Sequence, residues 1–442
     1  MSIKVGMVSL GCSKNQVDSE IMLSRIKERG FELCTDAGSC DVVIVNTCGF
    51  IEDAKRESIE NILEFCTLKK EGRIKAVVVT GCLAERYQEE IAKEIPEADV
   101  ILGLGSMEKI VESIEAALLG RKVVSFGDKC SLPLEGERII SNLPFFAYLK
   151  IAEGCDNYCS FCAIPMIRGR YRSRKMENIV AEARKLAENG VKELNLVAQD
   201  TTKYGVDLYQ KQMLPELLER LCEIDGLEWI RVLYCYPERI DDALLDVMAR
   251  EPKIVKYMDI PLQHASKGLL KRMNRKGSGE EYLELIRKIR QKVPGITLRT
   301  TLIAGFPGET EEDFETLCHF VTEAKFERLG CFAYSQEEGT RAGEMDGQID
   351  EKVKQDRVDA LMDIQYGIMQ VKNESMLDKT LTVLVEGYDR YASSYFGRTS
   401  MDAPDIDTKI FFTSPKPVRA GSFISVKVQD VIDYDLLGTI VE

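Results

Sequence analysis

The chain has 442 residues, of which 45% are hydrophobic and 30% charged, a composition typical of folded domains and not of disordered chains. It carries 59 Lys and Arg against 73 Asp and Glu, a net charge of −14, which disfavours nonspecific binding to nucleic acid. No apolar run has the length of a transmembrane helix, and the first residues lack a signal-peptide core. We therefore expect a cytoplasmic protein, neither secreted nor inserted in a membrane.

Cysteine usage is the strongest compositional signal, with fourteen cysteines against two histidines. In a reducing compartment thiols stay free, so grouped cysteines indicate metal sites or catalysis rather than disulfides. Because histidine is so scarce, ligation by thiolates alone is favoured. That chemistry is typical of an iron–sulfur cluster or of a zinc site built from cysteines.

The first predicted domain, residues 1–128, alternates short apolar strands with amphipathic helices. The predicted strands are 4–10, 42–46, 76–80 and 100–102, and the predicted helices are 18–28, 56–66, 84–95 and 107–118. Such alternation predicts a parallel sheet covered by helices, so the chain begins with an α/β domain. Residues 129–143 lack periodicity and contain a proline and a glycine, which predicts a linker.

The second predicted domain, residues 144–375, contains six strand–helix units. Its predicted strands are 147–152, 193–197, 229–233, 257–260, 297–303 and 328–332, and its helices are 176–189, 214–222, 241–248, 281–292, 311–324 and 350–374. This pattern predicts a full or partial (β/α) barrel with its site at the C-terminal strand ends.

The third predicted domain, residues 376–442, contains five short strands separated by turns. They are predicted at 381–386, 391–398, 408–413, 422–428 and 437–441. Five short strands in so few residues predict a small β-barrel similar to an OB-fold.

Cys155, Cys159 and Cys162 form a CxxxCxxC motif directly after the first strand of the predicted barrel. Three thiolates on one loop can hold three irons of a four-iron cluster, which leaves the fourth iron open to an external ligand. The alternatives are a loop of free thiols, or a zinc site with a distant fourth ligand. The motif resembles that of the radical S-adenosylmethionine (SAM) superfamily. The resemblance implies a cluster that binds SAM and cleaves it to a deoxyadenosyl radical.

The same resemblance points to further residues that would contact SAM, namely Tyr158, Phe161, Gln199, Asp200, Gly305, Gly308 and Glu309. The glycines allow a ligand to approach closely, and Glu309 opens the next helix. Gln199 and Asp200 stand where the superfamily often has Gly-Gly-Glu to bind the methionyl amine. Core packing is the alternative for the two aromatic residues, and a plain strand-to-helix turn is the alternative for residues 302–310. No catalytic residue is assigned.

Cys12, Cys48 and Cys82 each follow a predicted strand of the first domain, 36 and 34 residues apart. Parallel strands bring their C-terminal ends to one edge of the sheet, so the three thiols can converge there. This placement predicts a second cluster with three protein ligands, and the alternative is three unrelated buried cysteines. The other eight cysteines lack this placement and are interpreted as small core residues or as bystanders without a role in the site.

Gly-Cys-Ser-Lys-Asn at 11–15 and Asn-Thr-Cys-Gly-Phe at 46–50 resemble segments of the methylthiotransferases. The resemblance extends over essentially the whole chain. It implies two four-iron clusters, SAM, sulfur carried on the first cluster, and a C-terminal TRAM domain that helps to bind substrate. One branch of that family modifies an adenosine in transfer RNA. The RimO-type branch modifies the β-carbon of an aspartate in the small-subunit ribosomal protein S-twelve.

Three features favour the protein-modifying branch. Pro-Leu-Gln-His-Ala-Ser at 261–266 and Asp-Ala-Pro-Asp-Ile-Asp at 402–407 resemble RimO-type segments, and residues 376–442 hold seven basic and ten acidic side chains. An acidic surface suits a basic ribosomal protein better than RNA. We therefore predict that substrate is bound by His264, Asp402, Asp405 and Asp407. A structural histidine and a solvated turn are the alternatives.

The resemblance also implies the partners, which are the ribosomal protein, free or within its subunit, and a low-potential electron donor. No membrane and no sequence-specific nucleic acid is expected. The basic run at 167–175 would either contact phosphate near the substrate or form a solvated helix entry. A non-enzymatic iron–sulfur module is a different class of function, and it would need clusters closed by four cysteines.

Overall fold

The N-terminal domain is a parallel sheet of six strands in the order β2-β1-β3-β4-β5-β6. The computed structural model describes residues 2–441. The strands are β1 (Lys4–Ser9), β2 (Glu32–Cys34), β3 (Val42–Thr47), β4 (Ala76–Gly81), β5 (Val100–Leu102) and β6 (Val123–Ser125). The helices are α1 (Ser13–Glu28), α2 (Glu52–Lys70), α3 (Cys82–Glu94) and α4 (Ile110–Leu118).

Burial explains why the central strands of this sheet were predictable and its outer strands were not. Every residue of β3 and β4 is buried, as expected for Val-rich strands covered by helices on both faces. The four predicted strands are confirmed. The sequence analysis missed β2 and β6, which have three residues each and therefore show no periodicity.

The predicted linker contains only a short 3-10 turn, Lys129–Ser131, and no further helix or strand occurs before Phe146. It nevertheless lies firmly on the surface of both neighbouring domains. Arg138 donates to the Glu182 carboxylate at 2.6 Å and also pairs with Glu20 of α1. The predicted boundaries at 128, 143 and 375 stay predictions.

The second domain is an open barrel, because its six parallel strands follow the order β14-β13-β12-β11-β10-β7 and do not close. A short antiparallel pair, β8 with β9, accompanies the sheet. The strands are β7 (Phe146–Lys150), β8 (Ala152–Glu153), β9 (Arg172–Ser173), β10 (Glu193–Val197), β11 (Trp229–Val232), β12 (Ile254–Gln263), β13 (Thr297–Ala304) and β14 (Arg328–Ala333). The helices are α5 (Ile164–Arg168), α6 (Met176–Glu188), α7 (Val206–Tyr209), α8 (Leu214–Cys222), α9 (Asp242–Arg250), α10 (Lys267–Arg272), α11 (Gly279–Lys292), α12 (Glu311–Ala324) and α13 (Glu351–Glu374).

The C-terminal domain is a closed barrel of five strands in the order β15-β16-β17-β19-β18. Only β17 and β19 pair in parallel, and the other neighbours are antiparallel. The strands are β15 (Thr380–Asp389), β16 (Ser394–Thr399), β17 (Ile410–Thr413), β18 (Phe423–Ile432) and β19 (Asp435–Ile440). The predicted small β-barrel is confirmed.

Successive side chains along the strands of the open barrel lie on opposite faces of the sheet. One face belongs to the outer apolar core, and the other lines the inside of the barrel. Leu194 and Leu196 join the large apolar core under the helices, whereas Glu193 lies on the inner face and pairs with Arg398 of the C-terminal barrel at 2.6 Å. Val17 of α1, Tyr148 of β7 and Ala403 of the β16–β17 loop belong to one shared apolar cluster. The three domains therefore meet at the inside of the open barrel.

Across residues 2–441, no helix has both the length and the apolar character that crossing a membrane requires.

Candidate active site

The N-terminal cysteines follow three neighbouring strands, because β1, β3 and β4 are adjacent in the sheet. Cys48 comes directly after β3, and Cys82 comes directly after β4 as the first residue of α3. Gly11, with φ of +85°, carries the chain past Cys48, and a Cβ at Gly11 would lie 2.8 Å from the Cys48 Sγ. Only glycine tolerates that conformation and that approach, so the tight turn brings Cys12 to Cys48.

Buried cations lie beside this triplet and act differently on its thiols. Burial raises the pKa of Cys82 to about 12, and burial also raises the pKa of Cys48. Burial likewise raises the pKa of Cys12, but the charges of Lys14 and Arg168 outweigh it and hold that pKa below its usual value. The cations thus favour a thiolate at the edge of the sheet.

The barrel cysteines lie on the loop between β8 and α5, with Cys155 and Cys159 buried. Neighbouring elements hold this loop. The Asn157 side chain donates to Asp200 at 2.9 Å, Asn274 donates to the backbone carbonyl of Tyr158 at 2.9 Å, and Ser160 N–H donates to the Met273 carbonyl at 2.9 Å. The three thiols therefore occupy a rigid loop at the C-terminal edge of the open barrel.

A tyrosine and an arginine accompany the barrel triplet. The Tyr236 hydroxyl lies 3.4 Å from the Cys159 Sγ, and the Arg275 guanidinium is 4.2 Å from the centre of the Tyr236 ring. Arg275 Nε is buried and has no hydrogen-bond partner among residues 2–441. Burial raises the pKa of Cys155 to about 11. A buried positive charge beside thiols is suited to an anionic cluster.

Arg168 connects the two triplets. Its Nη2 lies 3.3 Å from the Cys82 Sγ, and its Nη1 lies 3.0 Å from both the Asp18 and the Glu153 carboxylates. Glu153 stands two residues before Cys155, and Arg168 ends helix α5, which starts two residues after Cys162. Helix α5 has five residues and is therefore about 7.5 Å long. Arg168 thus contacts Cys82 of one triplet and stands one short helix after Cys162 of the other.

Lys150 completes a buried charge network around Arg168. Its ammonium contacts Asp18 and lies 2.8 Å from the Glu153 carboxylate. All four side chains are at most 3% exposed. Two cations and two carboxylates thus compensate each other at the junction of the N-terminal domain and the barrel.

Each triplet offers three thiols, which is the donor set that three irons of a four-iron cluster take from a protein. The buried Nε atoms of Arg168 and Arg275, which have no partner among residues 2–441, leave donors beside both triplets.

Three of the predicted SAM contacts lie in different environments. Tyr158 is 52% exposed, with φ of +49°. Phe161 is half-buried and packs against a cluster that includes Met273 and Phe306. Gln199 is half-buried, and its Nε2 has no partner among residues 2–441. The cofactor role predicted for these residues stays a prediction, with core packing now observed for Phe161.

The other predicted SAM contacts have internal partners. Asp200 accepts hydrogen bonds from Asn157, Arg239, Thr202 and the backbone of Lys203. Glu309 accepts from the backbone N–H of Gly305 at 2.8 Å and from Arg357 at 2.9 Å. Side chains of this chain fill the space beside both glycines, Lys354 at Gly305 and Arg272 at Gly308. These contacts give each of the four residues a structural role, and the predicted cofactor role stays a prediction.

Three of the predicted substrate residues have internal partners. His264 is fully buried, and its Nδ1 accepts a hydrogen bond from Ser266 N–H at 3.0 Å, so the structural alternative fits it. Asp402 is buried in an ion pair with Arg328, and Asp407 accepts from the Tyr257 hydroxyl at 2.6 Å and lies 3.6 Å from Arg299. The alternative of a solvated turn does not fit these two carboxylates, because the loop enters the open barrel. The substrate role predicted for the three residues stays a prediction.

Asp405 is the exception in this loop, since its side chain is exposed. It has φ of +63°, and its carboxylate accepts a hydrogen bond from the Tyr148 hydroxyl at 3.3 Å. Its role in substrate binding stays a prediction.

The residues of both triplets are predictable from their spacing, whereas their charged neighbours are not. Arg168 lies in the basic run that was interpreted as phosphate-binding or solvated, yet it is 1% exposed. Lys14 belongs to the segment at 11–15 that carries the family resemblance, and Asp18 follows it closely, but neither residue was assigned a role. Arg275 has no sequence signal, because it reaches Cys159 from an element more than a hundred residues away.

The three domains each match a family model. Residues 149–321 match the Radical SAM superfamily, residues 4–103 match the Uncharacterized protein family UPF0004, and residues 379–441 match the TRAM domain. The open barrel with its cysteine loop is thus that of a radical SAM protein.

Curated relatives define the family more closely. The chain is 52% identical to the ribosomal protein uS12 methylthiotransferase RimO of Lachnoclostridium phytofermentans, over 99% of this chain and all of that protein. The proteins of the same description from Thermoanaerobacter sp. and Clostridioides difficile are 51% and 49% identical, over 98% and 99% of this chain and 99% of each relative. The chain therefore belongs to the RimO family of ribosomal protein uS12 methylthiotransferases.

Solved structures share the fold at low sequence identity. The radical SAM methyltransferase TsrM of Kitasatospora setae superimposes with a TM-score of 0.56 at 16% identity, covering 78% of this chain and 77% of that chain. The cobalamin-dependent radical SAM enzyme OxsB gives a TM-score of 0.52 at 13% identity, covering 84% of this chain and 56% of that chain. Both comparisons support the observed arrangement of a parallel-sheet domain and a radical SAM barrel.

Proposed function

We propose that this chain transfers a methylthio group to the β-carbon of an aspartate in the small-subunit ribosomal protein uS12, the S-twelve protein of the sequence analysis. The observation that carries the proposal is that Arg168 contacts Cys82 of the N-terminal triplet and also binds Glu153, which stands two residues before the barrel triplet. The printed names of the relatives give the substrate and the group transferred. A ribosomal protein as substrate also supports a cytoplasmic location.

Cys155, Cys159 and Cys162 would hold the four-iron cluster that binds SAM. When bound, this cluster and SAM supply a radical that removes a hydrogen atom from an unactivated carbon. The chain's own part is to hold the loop still through Asn157, Asn274 and the Ser160 backbone, and to place the Arg275 charge beside it. Reduction of the cluster needs a low-potential electron donor, which we include among the partners.

Cys12, Cys48 and Cys82 would hold a second four-iron cluster that carries the sulfur to be transferred. A sulfur held there would stand at the junction of the sheet edge and the barrel, and holding it near the target carbon would lower the barrier for group transfer. Lys14 and Arg168 offset the negative charge of this triplet. The buried position of Cys82 and of Arg168 excludes water from the junction.

Internal ion pairs within the basic run favour a protein substrate over transfer RNA. Arg168 is buried in the charge network, and Arg174 pairs with Glu182 at 2.7 Å. Arg172 donates to backbone carbonyls of Lys129 and Leu132. Arg170, in contrast, is exposed. Most of this run is therefore occupied within the chain, and it does not form the basic face that a phosphate backbone requires.

The test is reconstitution under anaerobic conditions, followed by reaction with SAM, a strong reductant and either uS12, the small ribosomal subunit, or transfer RNA. We expect mass analysis to locate one methylthio group on one aspartate of uS12. A matched control replaces three half-buried cysteines outside both triplets, Cys34, Cys222 and Cys318, by Ala and should remain active. Methylthiolation of transfer RNA alone would overturn the proposal.

A further inference from the structure

Lys14 is a buried lysine whose ammonium has no acidic partner. It is 3% exposed, and its Nζ lies 3.4 Å from the centre of the Tyr234 ring. Among residues 2–441, no oxygen accepts a hydrogen bond from this ammonium, and no carboxylate forms an ion pair with it. An aromatic ring attracts a cation, but it leaves most of the three ammonium donors without an acceptor.

The neighbouring buried cations differ from Lys14 in this respect. Lys150 and Arg168 each contact both Asp18 and Glu153. Lys55, in the same domain, pairs with Glu337 at 3.2 Å. A buried charge is costly unless it is paired. Lys14 acts on the Cys12 thiol, whose pKa it lowers, but no carboxylate among residues 2–441 pairs with it, so its ammonium is available to a carboxylate that binds at this junction.

Two carboxylates of this region are bound by other cations. Asp18, one turn after Lys14 on α1, is held by Lys150 and Arg168. Asp259, which accepts a hydrogen bond from the Tyr234 backbone N–H, is held by Arg299 at 2.9 Å. Neither of them serves Lys14.

The position of Lys14 indicates which carboxylate it would bind. It stands two residues after Cys12, at the edge of the sheet where the sulfur-carrying triplet lies. Tyr234 follows β11 at the C-terminal edge of the open barrel and has φ of +60°, a strained conformation for a tyrosine. The ammonium thus lies where the edge of the sheet that bears the N-terminal triplet meets the barrel edge.

We propose that Lys14 binds the side-chain carboxylate of the target aspartate and thereby selects an acidic residue as substrate. This inference rests on the proposed function. The carboxylate carbon of aspartate is bonded directly to the β-carbon, so an ammonium that holds the carboxylate fixes the carbon that receives the methylthio group. A charge-assisted hydrogen bond in a water-poor site supplies both affinity and orientation.

The test is a double-mutant cycle between Lys14 of the full-length, iron-loaded enzyme and the modified aspartate of uS12. The enzyme is wild type or Lys14→Met, which keeps an apolar stem over the Tyr234 ring and removes the charge. The substrate is uS12 or uS12 with that aspartate replaced by Asn. The dissociation constant for uS12 and the kcat/KM of methylthiolation are measured for all four combinations.

We expect wild type to prefer the aspartate substrate by at least about tenfold in both quantities, the usual scale of a charge-assisted hydrogen bond. Lys14→Met should bind the two substrates equally. Lys14→Gln repeats the cycle with a polar side chain, so that a packing defect specific to methionine is recognised. Lys69→Met is the matched control, because Lys69 pairs with Asp99 at the opposite edge of the sheet. This variant should prefer the aspartate form of uS12 over the Asn form as strongly as wild type does.

A second source of a carboxylate is the methionyl group of SAM. The arms separate the two sources, because loss of a contact to SAM raises the KM for SAM with either uS12 form, whereas loss of a contact to the aspartate removes the preference for aspartate over Asn. A raised KM for SAM with unchanged discrimination between the two uS12 forms would overturn the inference. Equal discrimination by wild type and both variants would overturn it as well. If wild type does not methylthiolate uS12 at all, the proposed function falls, and the inference falls with it.

Discussion

The two cysteine triplets are built in opposite ways. The barrel triplet lies on one loop, so that eight consecutive residues from Cys155 to Cys162 contain all three thiols. The N-terminal triplet comes from three neighbouring strands, and only the parallel order of β1, β3 and β4 brings Cys12, Cys48 and Cys82 to one edge. A local motif can therefore be recognised from spacing alone, whereas a distributed site depends on the whole sheet.

The charges around the triplets differ too. Lys14 and Arg168 stand beside the N-terminal thiols, and both lie at the junction between domains. Arg275 stands beside the barrel thiols and belongs to the barrel itself. The N-terminal site is consequently shaped by residues of two domains, while the barrel site is complete within one.

The largest expected effect follows from removing the barrel triplet. Replacing Cys155, Cys159 and Cys162 by Ala should remove about four irons per chain, half of the total, because each triplet serves one cluster. Deoxyadenosine formation and methylthiolation should both stop. Iron analysis and chromatography of the nucleoside products measure this, and a variant that kept all its iron would contradict the assignment.

Removing the N-terminal triplet distinguishes the roles of the two sites. Replacing Cys12, Cys48 and Cys82 by Ala should also halve the iron, yet cleavage of SAM to deoxyadenosine should remain detectable because the barrel site is complete within its domain. Methylthiolation should vanish, since the thiolates that would hold the sulfur-carrying cluster are absent. Parallel assays of both products on one preparation give the answer. Normal methylthiolation by this variant would contradict the two-site arrangement.

Arg168→Met tests the connection between the sites. Its removal leaves the buried Asp18 and Glu153 carboxylates with only Lys150, and breaking a buried pair costs about 3–5 kcal/mol of unfolding free energy. Denaturant unfolding of the reduced, metal-free protein measures the loss. Arg172→Met serves as control, since Arg172 in the same run donates only to backbone carbonyls and should cost much less.

Asp402→Asn tests the buried part of the loop that enters the barrel. Burial raises the pKa of Asp402, but Arg328, Thr399 and Thr408 outweigh it and hold the pKa below its usual value. The carboxylate therefore stabilises the fold above the unfolded pKa, near about 4, and that stability is lost as the pH falls through the lower, folded pKa. We expect a cost of about 3–5 kcal/mol at neutral pH that shrinks in acid. Thermal unfolding of both proteins across that pH range measures it, and a constant difference would contradict the ion pair.

Asp405→Asn should have the smallest effect. Asp405 is exposed and in the left-handed region, which Asn tolerates, so stability should change by less than about 0.5 kcal/mol. If Asp405 contacts the basic substrate, the affinity for uS12 should fall by less than about 1 kcal/mol and mainly at low salt. Titration of uS12 at two salt concentrations measures the change. Identical affinities for wild type and variant would show that Asp405 does not contact uS12.

Much of the fold was predictable because its strongest signals are local. The all-buried runs of β3 and β4, the amphipathic helices α8 and α12, and strand β10 have the bounds or nearly the bounds that periodicity indicates. Helix α1 begins at Ser13, five residues earlier than predicted, because its first turn is polar yet faces the barrel. Its Asn15 and Ser19 bond to the ends of β1 and β3, and its Asp18 pairs with Lys150 and Arg168 of the barrel, contacts that no pattern within the helix reveals.

By itself, the sequence determined the three-domain α/β and β-barrel architecture, the CxxxCxxC loop and the candidate thiols after three strands, because hydrophobic period and residue spacing are local properties. Tertiary structure alone decided which charges are free. It buried Asp402 and Asp407 against arginines inside the open barrel, placed Arg168 between two domains, and left Lys14 against Tyr234 without an acid. The reason is that the partner of a charged side chain is set by residues far away in the chain, whose approach depends on how whole domains pack.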